Sequence, residues 1–275
     1  MTEFKIARMP IGQAWTWFKN AFRLLKAQPL TICVTTAWLL LTLMLLAQAP
    51  IVGPMLAALI FPALSFGMAD VNQKIRLQMP ASPLDVFSGF HPNHRLQLLT
   101  IGAFLSILLF ASFTLMRQFD LAALTTFSQN LINQAENLDT STLTSQLETA
   151  LKDPAFARAA SIVNLFTLLN MFIIGLLAFA PLFVAWQHTQ PVQAIGLSLL
   201  AIGRNLLPLS LLLLMVFIGF FILSNLLVLL IALLPFLGVW IILPVIFLST
   251  GFLFTLVFTS YHNIITTSLN NAKTA

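Results

Sequence analysis

Charged residues are scarce in this sequence. They make up 8% of its 275 residues, whereas soluble domains carry about 25%. Hydrophobic residues account for 59%, which is more apolar material than a soluble core can hide from water. The composition excludes a water-soluble fold and predicts that lipid surrounds most of the chain.

Cysteine and acidic residues are also rare. Because Cys33 is the single cysteine, no disulfide can form within the chain. The formal net charge of +5 comes from 8 acidic against 13 basic residues, and in a membrane protein such an excess reports topology and contact with anionic lipid. We therefore predict membrane lipids as partners, through anionic headgroups at the cytoplasmic face, with other membrane proteins as a second partner class and no nucleic acid.

Six apolar runs are long enough to cross a bilayer, which takes about 20 helical residues. Helix is the expected form because backbone polar groups within lipid must bond to one another. The six predicted spans are Leu30–Gln48, Ile51–Ala69, Gln97–Met116, Ala160–Ala185, Leu206–Leu233 and Pro235–Tyr261. The sequence thus predicts an all-α integral membrane protein, a six-transmembrane-helix bundle forming a single membrane domain over residues 1–275.

The basic residues are distributed unevenly between the loops. Ten of the thirteen lie before span one, between spans two and three, between spans four and five, or after span six. The other three, Arg117, Lys152 and Arg158, share the loop between spans three and four with five acidic residues. By the positive-inside rule, we predict that the N and C termini are cytoplasmic.

The first span follows a basic stretch and ends near "AQA" at residues 47–49, a pattern that resembles a secretory signal peptide. Two features favour a retained span instead. The apolar run has the length of a full membrane crossing, and Pro50 would directly follow the cut. We predict that the first span is not cleaved.

The segment "PIGQAWTWFKNAFRLLKAQPL", residues 10–30, has the pattern of an amphipathic helix. One apolar stripe has spacings of four and three residues: Ile11, Trp15, Phe18, Phe22 and Leu25. Three basic residues line the margin of this stripe, as in a helix that lies in the membrane interface. The residues predicted to contact lipid headgroups are Trp15, Trp17, Lys19, Arg23, Lys26, Arg95 and Arg204.

Two further segments repeat this design. "SPLDVFSGFHPNHRLQLL" begins with a helix-start signature, in which Ser82 is the N-cap, Pro83 the first helical residue and Asp85 the third. "PVQAIGLSLLAIGRNLLPL" occupies residues 191–209. We predict three amphipathic interfacial helices on the cytoplasmic face, one ahead of each pair of spans.

The second span of each pair contains a proline, Pro62, Pro181 or Pro244. This order suggests three degenerate copies of one unit, residues 10–70, 82–188 and 191–263. Chance similarity among Leu- and Pro-rich membrane segments is the alternative. Internal repeats are common in transporters, whose site lies at the repeat interface, but three hairpins also fit a simple bundle.

Residues 117–159 form the long predicted extracytoplasmic segment. Their apolar residues keep a helical period on both sides of "NLDTST", which predicts an extracytoplasmic helical hairpin. Its role is open between a lid or docking element and a cap on the outer mouth of the bundle.

No Asp, Glu, Lys, Arg or His lies in the middle of a predicted span. Ion-coupled transporters, proton relays and intramembrane hydrolases need ionisable groups at that depth, so the sequence argues against all three. The polar residues within spans include Asn164, Asn170 and Asn225, for which we predict hydrogen bonds to neighbouring helices.

Motifs for catalysis and metal binding are also missing. No glycine-rich phosphate loop, nucleophile elbow or metalloprotease motif occurs, and Pro92 separates the two histidines of "HPNH". We predict no catalytic residue, no metal and no cofactor, and a protein that is not an enzyme. An enzyme would need a polar cluster assembled from distant residues: Asp70, His91, His94, His188 and Asn263.

Three stretches carry a resemblance to a known family: "AWTWFKNAFRLLKAQPL", "PIVGPMLAALIFPALSFGMA" and "SPLDVFSGF". With them the chain resembles a group of uncharacterised proteobacterial six-span inner-membrane proteins, and more distantly the membrane domain of some glycerophosphodiester phosphodiesterases. The resemblance implies a multi-pass protein of the bacterial inner (cytoplasmic) membrane, and it supplies no catalytic residues.

These observations predict a non-enzymatic membrane protein that engages lipid or membrane proteins, with envelope maintenance as the hypothesised setting. The alternative is a transporter or channel for an apolar or lipid-like substrate, whose path would be lined by the proline-containing spans two, four and six.

Overall fold

The computed structural model describes residues 4–50, 52–133, 146, 148–233 and 235–267. Its helices confirm the predicted all-α class. Six of the described helical segments are long and apolar enough to span a membrane: Pro29–Ala47, Val52–Arg76, Arg95–Met116, Pro154–Gln187, Leu206–Ile231 and Trp240–Ile264. Each overlaps one predicted span. The chain divides into two compact units, unit one with residues 1–104 and 176–275, and unit two with residues 105–175.

The elements follow one another along the chain in this order: β1 (Phe4–Ile6), α1 (Gln13–Ala27), α2 (Pro29–Ala47), α3 (Val52–Arg76), a 3₁₀ helix (Pro83–Phe90), α4 (Arg95–Met116), α5 (Ala122–Asn133), α6 (Pro154–Leu176), α7 (Ala180–Gln187), α8 (Pro191–Arg204), α9 (Leu206–Leu233), α10 (Pro235–Ile264) and β2 (Ile265–Thr267).

The second amphipathic segment forms a 3₁₀ helix rather than the predicted α-helix. Its predicted start is confirmed, because the Leu84 amide donates to the Ser82 hydroxyl at 3.3 Å and the Ser82 amide donates to the Asp85 carboxylate at 2.8 Å. The helix ends at Phe90 because the next residue, His91, precedes a proline and is held in an extended conformation. At eight residues it is long for a 3₁₀ helix, since such helices rarely exceed about four residues.

Two glycines let this 3₁₀ helix lie directly against α3. A Cβ on Gly67 would coincide with the carbonyl of Val86, and a Cβ on Gly89 would coincide with the carbonyl of Ala63. Each segment therefore places a glycine against the backbone of the other, an approach that a larger residue would prevent. The contact leaves Val86 fully buried.

The fourth predicted span is broken rather than continuous. Helix α6 ends at Leu176, and α7 begins at Ala180 with Pro181 in its first turn. Ser198 of α8 fills the break, since its hydroxyl donates to the Leu176 carbonyl at 2.7 Å and accepts from the Phe179 amide at 3.3 Å. Pro62 and Pro244 instead lie inside their helices, so the three prolines act differently, and the threefold repeat stays a prediction.

A short antiparallel ribbon pairs β1 with β2, with Ile6 opposite Ile265. Neither strand was predictable from the sequence, because three-residue strands have no detectable period and their partners are distant in the chain. The adjoining arm, residues 4–9, is held by Asn205, which is fully buried. Its side chain accepts from the Met9 amide at 2.8 Å and donates to the Ala7 carbonyl at 3.0 Å.

Unit two contains α5 and parts of α4 and α6. Phe127 of α5 and Phe156 of α6 meet edge to face with ring centroids 5.1 Å apart. Helix α5 lies within the first helical stretch of the predicted hairpin. Much of the second stretch, with residues 134–145 and 147, lies outside the described residues, so the hairpin as a whole stays a prediction.

Candidate functional site

Helix α1 presents basic and aromatic side chains on its exposed side. Trp15 and Phe22 are about half exposed, at 53% and 46%, and the three basic residues beside them are exposed as well. The Lys19 ammonium lies 5.8 Å from the centroid of the Trp15 ring, and the Lys26 ammonium lies 4.9 Å from that of Phe22. We define this basic–aromatic face by its five residues: Trp15, Lys19, Phe22, Arg23 and Lys26.

Trp17 does not belong to this face, and its predicted headgroup contact is wrong. The side chain is fully buried, together with Ala14 and Ala21 one turn before and after it. These two small residues let α1 pack closely on the protein, and the Thr259 hydroxyl of α10 donates to the Trp17 carbonyl at 3.4 Å. The buried stripe is thus displaced around the helix from the stripe that the sequence pattern emphasised.

An apolar cleft of about 340 Å³ opens beside α1. Of the described residues that line it, Ser249 alone carries a polar side chain. Gly219 leaves room in it, because a Cβ there would meet no atom within 4 Å. Its walls come from three helices, and its main residues are Phe18, Phe22, Leu25, Gly219, Phe220 and Phe252.

The cleft extends along the apolar helix α9. Gly219 lies roughly 20 Å along α9 from its start, at about 1.5 Å per residue, while the hydrocarbon core of a bilayer is about 30 Å thick. Phe18 closes the α1 end of the cleft by meeting Phe252 of α10 edge-on, with ring centroids 5.3 Å apart. The cleft therefore has the polarity and depth to accept an alkyl chain, and neither span two nor span four lines it.

A second cavity, also of about 340 Å³, contacts α1 through a different set of residues. Its polar lining includes Asn20 and Arg23 of α1, Arg76 at the end of α3, and His262 and Asn263 at the end of α10. None of the described residues that line it is acidic. We refer to it as the basic cavity.

The remaining basic residues of the prediction lie apart from these sites. Arg95 is exposed at the start of α4. Arg204 is exposed at the end of α8, but its guanidinium donates to the Ile6 carbonyl at 3.3 Å, so it helps to hold the N-terminal arm. Lipid contact by either residue stays a prediction.

The predicted interhelical contacts of three asparagines also stay predictions. The Asn225 side chain is exposed and donates to the Phe221 carbonyl at 2.7 Å, one turn back in its own helix. Asn164 is exposed, and the side-chain oxygen of Asn170 is buried without a hydrogen-bond partner among the described residues. None of the bonds described for this group joins two helices.

A buried polar contact between two side chains of different helices was missed at Asn72. Its side-chain oxygen accepts from the Thr255 hydroxyl of α10 at 2.9 Å, and its amide donates to the Met68 carbonyl at 2.8 Å. Asn72 is fully buried. Asn72 follows Leu64 and Met68 at four-residue spacing, so it continues the buried stripe of α3. This spacing is the feature of the sequence from which its burial could have been predicted.

Of the polar residues that an enzyme would need, the structure brings His91 and His94 together and pairs Asp70 with Lys74. Asp70 and Asp85 both pair with Lys74, at 3.3 and 2.9 Å. His94 lies 3.1 Å from the Ser88 carbonyl and stacks on His91 with ring centroids 6.1 Å apart. His188 is exposed at the end of α7. Within the described part of the chain, no three His, Cys, Asp or Glu residues form a group that could hold a metal.

Comparison with known proteins gives a distant relative. The chain is 28% identical over 194 residues to a probable inner membrane protein of Burkholderia thailandensis, an alignment that covers 70% of this chain and 67% of the relative. No family model matches the chain, and no solved structure matches it significantly. The relative and the six apolar helices support a multi-pass membrane protein. A link to glycerophosphodiester phosphodiesterases is not among these findings.

Proposed function

We propose that this protein is a non-enzymatic, multi-pass protein of the bacterial inner membrane that binds an anionic phospholipid beside α1. The headgroup lies on the basic–aromatic face and one acyl chain lies in the apolar cleft. One observation carries the proposal: Phe22 lines the cleft, and the Lys26 ammonium lies 4.9 Å from the centroid of the same ring. The positive charge and the apolar cleft thus meet at one side chain, that of Phe22. Retention of anionic lipid fits a role in maintaining the envelope.

Charge rather than apolar burial decides which lipid is preferred. An acyl chain that enters the cleft leaves hydrocarbon, so it gains little hydrophobic free energy. Each Lys or Arg near an anionic surface contributes about 1 kcal/mol. Lys19, Arg23 and Lys26 together therefore favour an anionic over a neutral headgroup by roughly 3 kcal/mol, or about a hundredfold in affinity.

Replacing Lys19, Arg23 and Lys26 with glutamine is the direct test. Native mass spectrometry of the purified triple variant is expected to show anionic lipid reduced at least about tenfold relative to wild type. The matched control replaces the three basic residues of the loop between spans three and four, Arg117, Lys152 and Arg158, and keeps its lipid. Equal lipid in both variants and the wild type would contradict the proposal.

The acyl-chain part of the proposal is tested in the same assay with Gly219→Phe. A Cβ at this position meets no atom within 4 Å. We expect the ring to fill the cleft, so that bound lipid falls while the unfolding temperature stays unchanged. Gly196→Phe on α8, where a Cβ also meets no atom within 4 Å, is the control. Loss of lipid in the triple glutamine variant but not in Gly219→Phe would support the headgroup site and contradict the proposed acyl-chain site.

The proposal also places the α1 end of unit one at the cytoplasmic leaflet, supported by the ten basic residues on that side. In a Cys33→Ala background, Ser128→Cys in α5 is expected to react with an impermeant maleimide once the outer membrane is opened. Met79→Cys, between α3 and the 3₁₀ helix, is expected to react only after the inner membrane is permeabilised. The reverse pattern of labelling would show that the topology is opposite to the one proposed.

A further inference from the structure

The basic cavity is built by three helix segments that meet at one end of unit one. The C-terminal half of α1 forms one wall, and the last turns of α3 and α10 form the others. Its volume of about 340 Å³ falls in the range of small-ligand pockets, roughly 300–1,000 Å³. It shares no lining residue with the apolar cleft, so a ligand here is separate from the proposed acyl chain. It does share Arg23 with the basic–aromatic face.

Two guanidinium groups from different helices, Arg23 and Arg76, line this cavity without a countercharge. Neither forms a salt bridge with any acidic side chain in the described ranges. The two carboxylates nearest in sequence to Arg76, Asp70 and Asp85, are both taken by Lys74. Like charges that face one cavity repel each other unless an anion lies between them.

Arg76 lies in the last turn of α3 and is stabilised there by the helix dipole, whereas Arg23 lies before the last turn of α1. Each helix C-terminus carries roughly half a negative charge, and basic residues near it commonly bond to its free carbonyls. Neither Arg23 nor Arg76 makes a hydrogen bond to a backbone carbonyl in the part of the chain that the structure describes. Their donors are therefore left for a ligand.

The wall of the cavity holds its cationic and polar groups in place. Phe258 is fully buried, and its ring lies 5.8 Å from the Arg76 guanidinium carbon and 6.2 Å from the centroid of His262, which stacks on it with an interplanar angle of 19°. The Asn263 amide donates to the Thr259 carbonyl at 2.8 Å, which leaves its other N–H available. Asn20 adds a further amide from α1.

We propose that the basic cavity binds a phosphate group, as a phosphomonoester or phosphodiester, between Arg23 and Arg76. Guanidinium forks match the geometry of phosphate oxygens and form short charge-assisted hydrogen bonds. His262, Asn20 and Asn263 supply additional donors around the same space. The cavity volume leaves room for a substituent on the phosphate, and the group can come from a lipid headgroup or from a soluble molecule.

Binding is tested on the purified full-length protein in a neutral detergent. Three probes are used: inorganic phosphate, dimethyl phosphate, and vesicles of phosphatidylglycerol diluted in phosphatidylcholine. At constant ionic strength, at least one probe is expected to raise the Tm of the wild type. Arg76→Gln is expected to weaken that binding at least tenfold, and Arg76→Lys to recover only part of it, because lysine keeps the charge but lacks the fork.

The probes distinguish the two sources of the phosphate group, and the variants distinguish the phosphate proposal from the lipid proposal. Protection by the soluble phosphates assigns a soluble ligand, and protection by phosphatidylglycerol alone assigns a lipid headgroup. Lys26→Gln removes an equal charge at the same end of the protein but outside the cavity, so it is expected to keep phosphate binding while it loses lipid from the basic–aromatic face. If no probe raises the Tm, or if Arg76→Gln and Lys26→Gln weaken binding equally, the phosphate site is overturned. His262→Gln repeats the test if Arg76→Gln does not fold.

Discussion

Gly67→Val is expected to destabilise the protein strongly. The new Cβ would coincide with the Val86 carbonyl, and the reciprocal contact of Gly89 with Ala63 means that the 3₁₀ helix cannot shift along α3 without a second clash. Both obstacles are backbone, so no side-chain rotation relieves them. The variant loses the close contact together with the Lys74–Asp85 ion pair that links the same segments. We expect a cost of at least about 3 kcal/mol, in the upper part of the range for overpacking and a large share of the roughly 5–15 kcal/mol that stabilises a domain.

The measurement is the yield of folded protein in the membrane fraction, followed by thermal unfolding of what is recovered. Gly219→Val is the matched control, since it adds the same side chain inside a helix where the Cβ meets no atom within 4 Å. The control is expected to be recovered at wild-type levels. Recovery of Gly67→Val with an unchanged Tm would show that α3 and the 3₁₀ helix separate easily, contrary to the structure.

Asn205→Ala is expected to produce the next largest loss, because one buried side chain holds the whole N-terminal arm. Alanine leaves the Met9 amide and the Ala7 carbonyl without their partners and also removes the 2.9 Å bond to the Ala201 carbonyl. An orphaned buried group costs about 1–3 kcal/mol. Since Ala7 and Met9 are only half-buried, we expect about 3 kcal/mol in total rather than the sum of full penalties.

Thermal unfolding and limited proteolysis before residue 13 would register this loss. Asn225→Ala is the control, since it removes the same side chain from an exposed position that bonds only to its own helix. Its effect is expected to stay within about 0.5 kcal/mol. Equal effects at the two positions would mean that the arm contributes nothing to stability.

The spans and the helix start at Ser82 were predictable because both depend on local sequence. Twenty apolar residues have few alternatives to a helix in lipid, and a capping box is complete within four residues. The break before Pro181 was harder to predict. A proline can be accommodated within a helix, as Pro62 is, or it can end one. The outcome depends on neighbours such as Ser198, which are distant from the proline in the sequence.

The two sites were only partly predictable for a different reason. In a soluble protein an apolar side chain points inward, but in a membrane both the lipid side and the protein side are apolar. The stripe of Trp15 and Phe22 was therefore visible as a pattern while the burial of Trp17 was not. Small residues seven apart, Ala14 and Ala21, were the available signal for the packed side.

The basic cavity needs Arg23, Arg76 and His262 from three distant segments, and no local pattern relates them.

The ribbon between β1 and β2 can form only late in the synthesis of the chain. Strand β1 leaves the ribosome early, but its partner Ile265–Thr267 follows only after six spans have been made. At roughly 5–20 residues per second, this delay is on the order of tens of seconds. Until then β1 has an unpaired edge, to which the strands of other chains can pair. A chain interrupted before residue 265 lacks the partner strand, so β1 keeps that unpaired edge.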